Sequence, residues 1–194
     1  MTTALNLPER MTTAEFMALT APDDPFLQLV DGVPQAITYP NRTHGALQNE
    51  LGALIRDHLR AGLGPCSVVT TPGVVPHVRS DINVRIPDLA VTCSPYEAEE
   101  ATLTDPVLLI EILSPSNRAE TWSNVWTYTT IPSVREILVV RSDALGAELL
   151  RRLPDGNWPK RTITITEHDE LVLESIGFSV PLAALYRTTR LARG

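Results

Sequence analysis

The stretch Pro106-Val107-Leu108-Leu109-Ile110-Glu111-Ile112-Leu113 constrains this chain more than any other. A run this long and this apolar reads as a strand buried on both faces inside a sheet. Period-2 alternation puts its one carboxylate, Glu111, on a face with Leu109 and Leu113. An acidic group there is costly to bury unless a metal, a cation or hydrogen bonds compensate it. Two readings stand: a functional carboxylate, or a structural one paired with an arginine.

A second carboxylate has a related setting. In Arg85-Ile86-Pro87-Asp88, proline holds Asp88 at the entry to the apolar strand Leu89-Ala90-Val91-Thr92. Alone, such an aspartate is an ordinary strand-edge residue. Two carboxylates at adjacent strand ends, converging on one point, are what a hard divalent cation needs.

The rest of the chain supplies a frame for that pair. Thr12 or Thr13 caps a short helix to about Leu19, and Ala21-Pro22-Asp23-Asp24-Pro25 breaks it. Asp31-Gly32 between two extended runs predicts a hairpin. From His44 to about Leu63, Leu47, Leu51, Leu54, Ile55 and Leu59 recur at helical spacing, with Gly62 and Gly64 ending the helix. His44 falls on the apolar side, roughly 40° from the centre of that stripe. It is read either as a boundary residue or as an acid/base or phosphate-contact group. Asn117 with Glu120 resembles a capping box opening a helix to about Thr129. On it Glu120, Asn124 and Tyr128 share one face, turned to solvent or to the carboxylate pair, while Trp122, Val125 and Trp126 belong to the core. Further strands follow at Glu136 to Val140, Arg161 to Thr166 and Glu170 to Leu173, with a helical segment near Leu182 to Tyr186. The order implies an α/β or α+β mixed sheet with helices packed on it.

Composition narrows the classes. The chain has 194 residues, 43% hydrophobic and 20% charged, which suits one globular domain spanning 1–194 and excludes a disordered chain. Its net charge of −7, with no basic stripe, excludes a purely electrostatic nucleic-acid binder. No segment approaches the roughly 20 apolar residues of a membrane helix, and no leader pattern opens the chain. A soluble cytoplasmic protein is expected. Cys66 and Cys93 lack zinc or disulfide spacing and are read as buried thiols. Fifteen of the sixteen Lys and Arg residues are arginine, leaving Lys160 as the one lysine.

The blocks "RIPDLAVTC", "LTDPVLLIEILSPSNR" and "TYTTIPSVREILVV" together resemble the Uma-two family of restriction endonucleases, within the PD-(D/E)XK nuclease superfamily. "LVDGVPQAI" and the Pro40 to His44 segment extend the likeness over roughly Leu27 to Val140. The resemblance implies a restriction-endonuclease-like core, a central mixed sheet flanked by helices, and a metal-dependent endonuclease acting on DNA. Carried over by position, Asp88 and Glu111 bind Mg²⁺ or Mn²⁺, and His44 matches the family histidine. The superfamily lysine falls on Leu113, and the helix position that replaces it in much of the family falls on Asn124, which cannot supply charge. Arg118, Arg42, Arg79 and Arg85 are the arginines nearest the motifs. Weak, salt-sensitive DNA binding follows, a homodimer would suit two-strand cutting, and the alternative is a catalytically degenerate protein that binds nucleic acid or a protein partner.

Overall fold

The computed structural model describes residues 9–19, 27–37, 40–62, 64–95 and 102–193. The expected break at Ala21 to Pro25 lies outside them. A short helix, α1 (Thr13–Met17), opens with a complete capping box between Thr12 and Glu15. The hairpin β1 (Leu27–Val30) and β2 (Val33–Ala36) turns on Asp31 at φ 49° and Gly32 at φ 83°. Two left-handed residues in succession match the strand twist, which is why Asp-Gly serves there. Leu29 exchanges backbone bonds with Val84 (2.8 and 3.0 Å), tying this hairpin to the segment that leads into Asp88.

Helix α2 (Arg42–Ala61) buries Leu47, Leu51 and Ile55 as its periodicity requires. Glu50 is buried beside that stripe and is matched by Arg187 from the C-terminal region. The main sheet then assembles from β3 (Ser67–Thr70), β4 (Leu89–Thr92), β5 (Pro106–Leu113), β6 (Glu136–Arg141), β7 (Gly146–Arg151) and β8 (Ile163–Thr166). They lie in sequence order, with β5 and β6 parallel and every other neighbour antiparallel. The parallel step needs a crossover, and helix α3 (Arg118–Tyr128) supplies it. Hairpin β9 (Glu170–Leu173) and β10 (Phe178–Pro181) adds Leu171, Leu173 and Phe178 to the core.

Alternation along β5 divides its side chains between two cores. Leu108, Ile110 and Ile112 pack with α2 and the single-turn helix Leu182–Tyr186, whereas Leu109 and Leu113 pack with Val125 and Tyr128 of α3. The sheet is therefore covered on both faces, as the apolar run predicts.

Three expectations are corrected. Trp126, assigned to the core, is 52% exposed, because Val125 is the residue that α3 turns into the sheet. Asn117 and Glu120 form no capping box: Asn117 Oδ1 accepts from Ser114 N (2.7 Å) and Ser114 Oγ (2.9 Å), while Glu120 bonds elsewhere. Cys66 and Cys93 are not free thiols but a disulfide. Ser67 faces Thr92 across β3 and β4, so the register sets the two cysteines opposite each other, a proximity no local spacing announces.

Opening that bridge releases a closure with a sequence separation of 27. Cys66→Ala with Cys93→Ala is expected to lower stability by about 3–4 kcal/mol, read from urea unfolding. Unchanged stability would show that the bridge contributes nothing.

Candidate active site

The ladder between β4 and β5 reaches Leu89 opposite Ile110. One step further in the same register, Asp88 stands opposite Glu111, so the two carboxylates share a face where the strands part. The N–H of Ile112 points toward β4, like that of Ile110. The Asp88 carbonyl is already engaged by Thr71 N (3.1 Å) and Gln48 Nε2 (2.8 Å). The side chain of Asp88 takes the place of backbone, its Oδ2 accepting from Ile112 N at 2.6 Å.

The other oxygen of Asp88 meets α2. His44 Nε2 lies 2.7 Å from Asp88 Oδ1, and since an ionised carboxylate only accepts, the ring proton belongs on Nε2. The helix start fixes this histidine, because Asn41 at the N-cap accepts from His44 N at 3.0 Å.

Glu111 is 6% exposed. Its Oε1 accepts from Tyr128 OH at 2.7 Å and from Asn124 Nδ2 at 3.4 Å, both on α3. The shared face of Asn124 and Tyr128 thus turns to the carboxylates and away from solvent. No salt bridge reaches Glu111 among the described residues, so hydrogen bonds, not an arginine, hold it. Burial pushes its carboxyl well above the ordinary range, the charge of Asp88 pushes it further, and the bonds from Tyr128 and Asn124 pull it back. Tyr128 is pushed up as well, first by burial and then by the charge of Glu111.

These groups line a cleft of about 380 Å³ that includes His44, Asp88, Glu111 and Asn124, the four candidates expected from sequence. Glu120 also lines it, held by Gln28 Nε2 of β1 at 2.6 Å. Gln48 was legible in principle, one helical turn beyond His44. The Gln28–Glu120 bond joins residues 92 apart and has no local signal. Arg118 is exposed and Lys160 is exposed on the β7–β8 connection; neither lines the cleft. Of the other arginines, Arg42 is exposed, Arg79 is exposed and pairs with Asp31 at 3.1 Å, and Arg85 is buried.

The donor set suits a hard divalent ion. Asp88 and Glu111 repel one another across the strand fork, and Glu111 Oε2 has no hydrogen-bond partner among the described residues. Those residues include no cluster of three or more His, Cys, Asp or Glu able to hold a metal. The protein would contribute two carboxylates and leave the other positions to water and substrate, as Mg²⁺ accepts.

Residues 13–183 match the model of the Uma2 family, described as "Putative restriction endonuclease". The uncharacterized protein slr1290 of Synechocystis is 28% identical over 159 residues, covering 81% of each chain. A crystal structure of a "putative nuclease belonging to DUF820" from Anabaena variabilis superposes with a TM-score of 0.73 at 16% identity, covering 91% of this chain and 97% of that one. At that identity the likeness is one of fold.

A raised carboxyl has a definite consequence for stability. The native state holds the Glu111 proton more tightly than the unfolded chain does. Its contribution is intact below the unfolded value of 4.5 and is lost as pH rises through the higher folded value. Glu111→Gln keeps an acceptor for Tyr128 and removes the charge that faces Asp88 and Glu120. Without metal at pH 7 the variant should melt above wild type, with the gap closing toward pH 4. A variant that melts lower at pH 7 contradicts the buried charge.

Proposed function

The chain belongs to the Uma2 restriction-endonuclease family, and on that premise we propose that it is a metal-dependent endonuclease hydrolysing DNA phosphodiester bonds at Asp88 and Glu111. The observation that carries the reading is the fork of β4 and β5, which sets these two carboxylates opposite each other in an open cleft. A Mg²⁺ or Mn²⁺ ion held there would lower the pKa of a bound water and offset charge on the phosphoryl oxygens.

The chain's own residues prepare that chemistry. Ile112 N–H and His44 lock both oxygens of Asp88, so its remaining lone pairs have a fixed direction. Tyr128 and Asn124 orient Glu111 through Oε1 and leave Oε2 for the ion. His44 donates to Asp88 and stands at the cleft wall, where it can also meet a phosphate oxygen or a water. Asn124 directs its amide at Glu111 and supplies no charge.

A second reading has its own support. No lysine or arginine lines the cleft among the described residues. That favours a catalytically degenerate descendant that retains the fold for binding nucleic acid or a protein partner.

Plasmid DNA with Mg²⁺ or Mn²⁺ separates the two. Nicking or linearisation is expected for wild type, ceasing with chelator and falling to background in Asp88→Ala and Glu111→Ala. Unaltered cleavage by those variants would refute the site, and no cleavage by wild type would leave the binding reading. DNA affinity should also fall as salt rises.

A further inference from the structure

Arg85 lies three residues before Asp88, on a segment bridged to Val74 by Arg85 N→Val74 O (2.9 Å) and Val74 N→Arg85 O (2.8 Å). It is 4% exposed. Its guanidinium donates no hydrogen bond to any described residue, and Nε is sealed from solvent without a partner. The two terminal nitrogens are likewise unbonded but are not sealed in the same way. The ionisable groups that bear on it are Tyr128, Asp31, Glu120 and Glu111, three of which belong to the site.

A buried guanidinium without hydrogen bonds is a rare and costly arrangement. Each neighbour that bears on it is an acid or a phenol, yet none makes a hydrogen bond or ion pair with it, so its terminal nitrogens, unlike the sealed Nε, are left for an anion that enters the site. Two oxygens of a phosphodiester match the planar fork of a guanidinium. Burial pulls Arg85 below its ordinary range while the surrounding acids raise it, and an arginine so placed stays charged.

We propose that Arg85 is the phosphate-binding residue of this site, its free guanidinium donating to a non-bridging phosphate oxygen of DNA lying over Asp88 and Glu111. The assignment rests on the nuclease reading. It gives the site the fixed cation that the cleft lining lacks, from a buried guanidinium whose charge bears on Glu111, Glu120 and Tyr128.

The test uses the full chain, a fluorescent DNA duplex with Ca²⁺, Mn²⁺ calorimetry and plasmid cleavage. Arg85→Met should weaken duplex binding about tenfold or more, as loss of a charge-assisted bond implies, and cut turnover with it. Mn²⁺ affinity should hold or tighten, because a positive charge has left the neighbourhood of the ion. Arg85→Lys should recover part of the duplex affinity. A merely structural residue would instead lose Mn²⁺ and duplex binding together, and that result overturns the assignment. So does an Arg85→Met protein, folded by circular dichroism, that binds the duplex as wild type does. If Arg85→Met does not fold, Arg85→Gln must show the same split between duplex and Mn²⁺. Wild type that neither holds nor cuts DNA removes the nuclease reading and this assignment with it; wild type that does both beside an unaffected Arg85→Met removes this assignment alone.

Discussion

The hydrogen bond from Ile112 N to the carboxylate of Asp88 is the contact on which the site depends. It lies where β4 stops offering backbone to β5, and it satisfies a buried N–H that would otherwise be orphaned. The fold thereby ends one ladder without penalty and leaves a charged side chain at the opening. The same register fixes Glu111 across from it. A bond to an ionised acceptor is stronger than a neutral one, so the fork is held closely. His44 adds a second tie from the opposite layer and couples α2 to the sheet at this point.

Glu111 shows the opposite balance. The strand around it is built for stability, and the carboxylate works against that, with Asp88 adding repulsion to the loss of water. Tyr128 and Asn124 recover part of the loss from α3. A fold that tolerates such a group holds free energy that a bound cation would release, since the ion removes both the repulsion and the unmet lone pairs. The core therefore matters to function mainly as a rigid holder. Leu109 and Leu113 flank Glu111 on the same face and pack on α3, leaving its side chain little freedom.

The residues at the centre of the site are legible in the sequence because they violate a pattern. One acid in an apolar run and one acid after a proline stand out against the strands that carry them, and the long helix and the Asp-Gly hairpin follow from local periodicity and turn chemistry. What escaped is set by tertiary register. The Cys66–Cys93 bridge, the Gln28–Glu120 bond and the burial of Arg85 join or enclose segments far apart in the chain, with no local spacing to mark them. The supposed capping box shows how a local signal misleads: both of its members bond elsewhere, Asn117 with Ser114 and Glu120 with Gln28 across the cleft. Helical spacing puts Trp126 on one face with Trp122 and Val125, but only Val125 is fully buried and Trp126 lies at the exposed edge of that face.

Under the proposed reading, Asp88 and Glu111 hold one divalent ion between them. Titration of the metal-free chain with Mn²⁺, followed by electron paramagnetic resonance, tests it most directly. One bound ion per chain is expected, lost in Asp88→Asn and equally in Glu111→Gln, with both variants folded. Retention of that ion by either variant would contradict it.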